Sequence, residues 1–124
     1  MTEAFLLSNL LNKLRATLPR AVVIKHCDRM TSGVPDFSVT MNGRTSWWET
    51  KYACPSFKSQ GIQELTLLRL ATAGYARYIV WEEKKGIRQT LIVHPRNIQE
   101  LKLEARCEGF NYMWVVEQIV KAHV

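Results

Sequence analysis

Apolar and polar positions recur along the chain with two different periods, which separate predicted helices from predicted strands. Leu7, Leu10 and Leu14 recur at helical spacing and Pro19 follows them, so the first segment is predicted to be an amphipathic helix. Runs rich in β-branched residues and strict alternation predict strands further along. The predicted helices are residues 2–18, 62–73, 98–106 and 112–122, and the predicted strands are residues 21–27, 37–41, 44–52, 76–81 and 89–94.

The predicted element order is α-β-β-β-α-β-β-α, where the last α stands for both helical segments at the end of the chain. This order predicts an α/β (α+β) fold with a mixed sheet flanked by helices. Neither a repeat nor a linker-like stretch divides the sequence, so residues 1–124 are expected to form one domain. No apolar run reaches the roughly 20 residues needed to cross a bilayer, so no membrane partner is expected. Three widely spaced cysteines do not suggest a disulfide framework or a zinc site, which favours a reducing, cytoplasmic location.

Asn42-Gly43, flanked by alternating segments, predicts a tight β-hairpin, because a type I′ turn needs positive φ at both central positions. A two-residue loop fixes the strand register. Asp36 then lies opposite Glu49, and Lys51 shares their face of the hairpin. Phe37, Val39 and Trp48 are expected on the other face.

Two carboxylates directly opposite each other normally destabilise a hairpin, and a divalent cation between them would remove that cost. Oxygen ligands of this kind suit Mg²⁺ or Mn²⁺. Lys51 could orient or deprotonate a water, or neutralise charge developing on a phosphate. The alternative is a solvated strand surface, on which Asp36, Glu49 and Lys51 make only a weak cross-strand salt bridge.

Glu3 and Gln63 are further candidates for the same site. Glu3 falls on the leucine stripe of the first helix, where a carboxylate needs a partner or a metal. Alternatively, it favours the helix dipole from the first turn and faces water. Gln63 opens the second predicted helix, where its amide could bond Lys51 or a phosphate, cap the helix or face solvent.

Pro35-Asp36, a gap of twelve residues and Glu49-Thr50-Lys51 together resemble the motif of the PD-(D/E)XK nucleases. The virus-type replication-repair nuclease (VRR-NUC) domain is the most similar branch. Its glycine and small apolar residue before the Pro-Asp are matched by Gly33-Val34. Its glutamine and later glycine are matched by Gln63 and Gly74, and the related Holliday-junction resolvases carry a glutamate on the first helix, as Glu3 would be. Trp47-Trp48 and the glycine-poor loop of residues 54–60 depart from the pattern and put substrate entry in doubt.

The resemblance implies a restriction-endonuclease-like fold and hydrolysis of DNA phosphodiesters, with branched DNA (a Holliday junction or flap) as a candidate substrate in replication, repair or recombination. Asp36, Glu49 and the Thr50 carbonyl would hold one or two Mg²⁺ or Mn²⁺ ions, and Glu3 would complete the metal shell. Lys51 would position the attacking water, with Gln63 supporting it. Junction-cutting relatives act as two-fold dimers, so a homodimer is expected as well. The host setting that fits this family is a bacterial, archaeal or phage-infected cell.

The net charge of +6 favours a polyanionic partner such as nucleic acid. Four basic residues flank the proposed site in sequence and are candidate phosphate contacts, although each could equally be a solvated charge. They are Lys25, Arg29, Lys58 and Arg69.

The aromatic and apolar residues near the motif have competing interpretations. Trp47 could stack on an unpaired base, but packing beneath the first helix is favoured. His26 is interpreted as a structural residue in preference to a site residue. Trp114, Val115, Ile119 and Val120 are expected to cover the sheet, with a homodimer contact as the sharper alternative.

Two other functions compete with a metal-dependent deoxyribonuclease. One is a non-catalytic nucleic-acid-binding protein on the same fold, and the other is a ribonuclease that uses the same residues. Two opposed carboxylates that repel phosphate favour an enzyme over a binding module.

Overall fold

The computed structural model describes residues 1–27, 33–53, 62–95 and 101–124. Within these residues, helices flank a mixed sheet, as the sequence predicts. In chain order the elements are α1 (Glu3–Thr17), β1 (Val22–Lys25), β2 (Phe37–Met41), β3 (Arg44–Ala53), α2 (Ile62–Ala73), β4 (Tyr75–Lys84), β5 (Ile87–Pro95), β6 (Leu101–Glu108) and α3 (Tyr112–Lys121).

The strands that the structure describes form a six-stranded sheet in the order β1-β2-β3-β4-β5-β6. Neighbouring strands are antiparallel except for β3 and β4, which run parallel. A parallel pair needs a crossover, and α2 lies between β3 and β4 in the chain. The site strand β3 is therefore held on both sides, by a hairpin partner and by a parallel neighbour.

The two faces of the sheet carry separate apolar clusters. The first cluster packs the buried leucines of α1 and the apolar face of α3 against Phe37, Val39 and Trp48. The second cluster packs Leu67 of α2 against Ala76 of β4 and other strand residues. Burying both faces fixes which side chains of β3 point to which helix, since successive residues alternate.

Helix α1 begins and ends where the sequence places its signals. The Thr2 side chain accepts a hydrogen bond from the Phe5 N–H at 3.1 Å, which is a regular N-cap. The Leu18 N–H still bonds to the Leu14 carbonyl, and Pro19 follows. Its buried stripe consists of Leu6, Leu7, Leu10, Leu11 and Leu14.

The predicted helix over residues 98–106 is wrong, because the chain forms strand β6 from Leu101 to Glu108 and pairs antiparallel with β5. Leucine, lysine, glutamate, alanine and arginine favour helices locally, but pairing with β5 overrides that preference. The signal for a strand was present as strict alternation. Apolar Leu101, Leu103, Ala105 and Cys107 alternate with charged Lys102, Glu104, Arg106 and Glu108.

Among the residues that the structure describes, no helix combines the length and the apolar character needed to span a bilayer.

Candidate active site

The predicted hairpin register is confirmed. Met41 pairs with Arg44 and Phe37 pairs with Trp48, as a two-residue loop requires. Asn42 and Gly43 both have positive φ, 54° and 73°, which is the backbone of a type I′ turn. The turn thus determines which residues of β2 and β3 meet at the far end of the hairpin.

Strand β3 extends beyond the end of β2, and two carboxylates occupy the edge that this leaves. The Thr50 N–H donates to Oδ2 of Asp36 at 2.8 Å, and the Tyr52 N–H donates to Oε1 of Glu3 at 2.9 Å. In a regular strand these N–H groups would bond to a partner strand. We refer to Glu3, Asp36 and Glu49 together as the acidic site.

Asp36 is held by two donors from one residue. Besides the Thr50 N–H, the Thr50 hydroxyl donates to the same Asp36 oxygen at 2.7 Å. Thr50 is fully buried, so both donors are fixed by the sheet. The Asp36 carbonyl in turn accepts the His26 N–H at 2.8 Å, which ties the residue to the end of β1.

Glu49 lies beside Asp36 and is almost completely buried, with 2% of its surface exposed. Burial, the hydrogen bond to the Asp36 side chain and the Asp36 charge raise the pKa of Glu49 from 4.5 to about 9, against the opposing effect of Lys51. At neutral pH, Glu49 is therefore protonated in the metal-free protein and donates a hydrogen bond to Asp36. The predicted juxtaposition of the two carboxyl groups is present.

Lys51 lies on the same face of β3 as Glu49, since the two residues are separated by one position in the strand. Its charge lowers the pKa of Glu49, so its ammonium group acts electrostatically on that carboxyl. The predicted grouping of Asp36, Glu49 and Lys51 at one face is thus reproduced by the fold.

Glu3 reaches the site from the other side of the sheet. It is exposed, so of the two alternatives the structure excludes an inward-pointing Glu3 on the leucine stripe and agrees with a first-turn carboxylate at the surface. Its carboxylate nevertheless has a partner in the Tyr52 N–H, and its charge also raises the pKa of Glu49. Helix α1 thus contributes a third carboxylate at the open edge of β3.

The Thr50 carbonyl, predicted as a metal ligand, belongs to the same edge. In an antiparallel pair, the N–H and C=O of one residue point to the same side of the strand. Because the Thr50 N–H points at Asp36, its carbonyl is directed to that side as well.

The other predicted site residues lie on β1, on α2 or outside the described residues. Gln63 lies in the first turn of α2, one helical turn before the buried Leu67, and its side chain is outside the described part of the structure. Lys25 ends β1 opposite Phe37 and is exposed, and Arg69 is exposed on α2. Arg29 and Lys58 lie outside the described residues.

The donor set suits a hard divalent cation, since carboxylate oxygens and a backbone carbonyl are the ligands that Mg²⁺ and Mn²⁺ prefer. The contact between Asp36 and a buried Glu49 supports this fit, because the charged form of the pair needs compensation. In residues 1–27, 33–53, 62–95 and 101–124, no three His, Cys, Asp or Glu side chains are close enough together to form a complete metal site. A divalent-cation site here would therefore be formed mainly by the two carboxylates of Asp36 and Glu49 and by a backbone carbonyl oxygen.

The prediction that Trp47 packs beneath the first helix is wrong. Trp47 packs with the cluster beneath α2 and not beneath α1, because it shares the face of Glu49. The His26 ring stacks on it, with centroids 5.2 Å apart and planes 26° from parallel. The Ser38 hydroxyl lies 2.9 Å from Nε2 of His26 and fixes that ring. Pairing of β1 with β2 brings these residues together, which a pattern within one strand does not reveal.

Three of the four α3 residues proposed for a homodimer contact pack inside the chain, and the fourth, Val120, is half-buried. Val115 and Ile119 are fully buried, and Trp114 packs against the same cluster. They cover the sheet beside α1, as the favoured interpretation expects.

No protein-family model matches the chain, and no curated protein matches it.

Proposed function

We propose that the chain is a metal-dependent DNA endonuclease whose reacting groups are Asp36, Glu49 and Lys51. The observation that carries the proposal is the contact between Asp36 and the buried, protonated Glu49 at the open edge of β3, with Lys51 on the same face. A purely structural role explains this arrangement poorly, because two apposed carboxyl groups raise each other's cost of ionisation. Clusters of this kind are typical of functional sites.

Mg²⁺ or Mn²⁺ would be held by Asp36, Glu49 and the Thr50 carbonyl, and Glu3 would complete the shell through a water. When bound, such an ion supplies charge stabilisation to the phosphate and lowers the pKa of a water. The chain's own groups prepare for it. Thr50 orients Asp36 with two hydrogen bonds, and Glu49 gives up its proton on loading, since a ligating carboxylate must be ionised.

Lys51 has the role of orienting the attacking water and balancing negative charge on the phosphate. Water adds to phosphorus, the bond to the leaving oxygen breaks, and that oxygen takes up a proton. Positioned general acid–base and charge-stabilising groups are each worth a rate factor of about 10² to 10⁴. Gln63 would support Lys51 from α2.

DNA is the proposed partner because the net charge of +6 favours a polyanion. Branched DNA is the proposed structural class, on the resemblance given above. A homodimer and a cytoplasmic location accompany the proposal as predictions. Light scattering on the eluting peak of a size-exclusion column tests the homodimer.

The experiment is a cleavage assay of the full chain on labelled junction, flap, single-stranded and duplex DNA, with matched RNA strands. Each substrate is incubated with Mg²⁺, Mn²⁺ or EDTA. We expect cleavage with either metal and none with EDTA. Glu49→Gln is the test variant, and Glu117→Gln on the exposed face of α3 is its matched control.

Cleavage that persists in EDTA, or an unaffected Glu49→Gln variant, would contradict the proposed mechanism. Binding of DNA without cleavage in any metal would favour the non-catalytic binding protein. Preferential cutting of the RNA strands would identify a ribonuclease at the same site.

A further inference from the structure

The face of the sheet that carries Glu49 is only partly covered. Helix α2 packs on this face mainly over β4 and β5. At the β1 edge, Val22 and Ile24 leave 53% and 48% of their surfaces exposed. Val23 between them packs against the α1 cluster, so alternation puts Val22 and Ile24 on the open face.

A stacked ring pair stands on this open face. His26 follows β1 and stacks on Trp47 of β3 at 5.2 Å, nearly parallel. Trp47 joins the cluster beneath α2, so His26 is the outer ring of the pair, and it is half-buried. The Ser38 hydroxyl fixes the His26 ring from below at 2.9 Å, and Ser38 is itself 4% exposed. We refer to His26 and Trp47 as the stacking platform.

The stacking platform adjoins the acidic site. The His26 N–H donates to the Asp36 carbonyl, so the two residues are direct neighbours. Trp47 precedes Glu49 by two positions on the same face, which is about 7 Å along a strand. A nucleotide whose phosphate lies at Asp36 and Glu49 therefore has its own base, or the next one, within reach of the platform.

We propose that the stacking platform binds an unpaired base beside the phosphate that is cut, so the preferred substrate is DNA with single-stranded character at that point. A rigid aromatic surface binds any base by its π-face, whereas bases inside a duplex are already stacked on both sides. The inference rests on the proposed function, because the position of the cut phosphate determines which base reaches the stacking platform. Binding of a base to the platform is nevertheless measurable without cleavage.

The test measures binding by fluorescence anisotropy in EDTA, with a labelled single strand of twelve nucleotides and the matching blunt duplex as probes. His26→Ala removes the outer ring, and His26→Phe restores a stacking ring without the Ser38 contact. The control is His94→Ala, a half-buried histidine on β5. We expect His26→Ala to weaken single-strand binding about tenfold and duplex binding less than twofold, with recovery in His26→Phe.

Equal losses on single strand and duplex, no loss on either, or no recovery in His26→Phe would overturn the inference. The outcome is separable from that of the proposed function. Wild-type protein that binds single strands through His26 but cuts no DNA supports the platform and defeats the nuclease. Metal-dependent cleavage with binding indifferent to His26 supports the nuclease and defeats the platform. Circular dichroism of each variant establishes that it is folded.

Discussion

The carboxyl groups of Asp36 and Glu49 share a hydrogen bond where β3 extends past Phe37, the first residue of β2, and keeps only β4 as its strand partner. The Thr50 hydroxyl donates a hydrogen bond to Asp36, and Glu49 is buried on the face of the sheet against which α2 packs. Neither group can move away from the other without losing these contacts, so the fold keeps the two carboxyl groups next to each other.

The first prediction concerns stability against pH in the absence of metal. The pKa of Glu49 is raised from 4.5 to about 9 in the fold, so between these values the folded state binds a proton that the unfolded state has lost. The free energy of unfolding must therefore fall as pH rises through this window, by about 1.4 kcal/mol per pH unit from this group. Glu49→Gln should remove that slope and be the more stable protein at pH 8.

Urea unfolding in EDTA at pH 5, 6.5 and 8 measures the difference between wild type and Glu49→Gln. Glu117→Gln should follow wild type at each pH, since Glu117 is exposed on α3. Parallel pH profiles for wild type and Glu49→Gln would refute the buried, protonated state of Glu49.

The second prediction concerns metal binding. Because Glu49 is protonated near neutrality and a ligand carboxylate is ionised, loading of Mg²⁺ or Mn²⁺ should release a proton. The metal affinity should then rise about tenfold per pH unit below pH 9. Titration calorimetry in two buffers of different ionisation enthalpy measures the released proton. A heat that is independent of the buffer would count against Glu49 as a ligand.

The third prediction concerns Thr50, whose hydroxyl donates to Asp36 at 2.7 Å. Thr50→Val keeps the shape and the N–H donor but removes the hydroxyl. We expect a loss of about 1–2 kcal/mol in stability and a slower turnover, because Asp36 is less well oriented. Thr40→Val on β2 is the control, since the Thr40 hydroxyl bonds to the Thr45 hydroxyl at an exposed position. Equal effects of the two variants would remove the special role of Thr50.

The fourth prediction separates two roles for Glu3, which accepts the Tyr52 N–H at 2.9 Å. Glu3→Gln keeps an acceptor for Tyr52 but has no charge, whereas Glu3→Ala has neither. If Glu3 belongs to the metal shell, both variants should raise the Mn²⁺ concentration needed for half-maximal cleavage by about tenfold. If only Glu3→Ala changes the behaviour, Glu3 is a backbone cap and the acidic site has two ligand side chains.

The fifth prediction concerns His123, a buried histidine near the turn end of the β2–β3 hairpin. His123 lies 2.8 Å from the Ser46 hydroxyl, which also accepts the Trp48 indole N–H at 2.7 Å. Burial lowers the pKa of His123, although its hydrogen bond to the Met41 carbonyl opposes this, and Arg44 lowers it further. Below pH 6.5 the unfolded state binds the proton more readily, so stability should fall as the pH falls. His123→Asn should flatten that decline in urea unfolding between pH 7 and pH 5, and an unchanged decline would assign it to other groups.

The sequence alone was sufficient to predict the β2–β3 hairpin, because the register of this hairpin depends on local chemistry. Asn42-Gly43 dictates the turn, the turn dictates the pairing, and alternation then puts Glu49 and Lys51 on one face. Features that depend on pairing between distant segments could not be derived in this way. The strand character of residues 101–108 is stabilised by β5, and the His26–Trp47 stack by the packing of β1 on β2.

The hydrogen bonds at the open edge of β3 could not be predicted from the sequence either. Backbone N–H groups leave no pattern in side chains, so the bonds from Thr50 and Tyr52 to Asp36 and Glu3 appear only once the strand lengths are known. Glu3 was a candidate from its helical stripe, but its position outside the core reflects where α1 crosses the sheet.

Initial cleavage rates of Lys51→Met and Lys121→Met at saturating Mg²⁺ test the central claim most directly. Both variants remove one lysine charge and keep the length of the side chain, and Lys121 is exposed on α3. We expect Lys51→Met to cut DNA at least about 100-fold more slowly than wild type, while Lys121→Met stays within about twofold. Equal rates for the two variants would contradict a catalytic site at Asp36, Glu49 and Lys51.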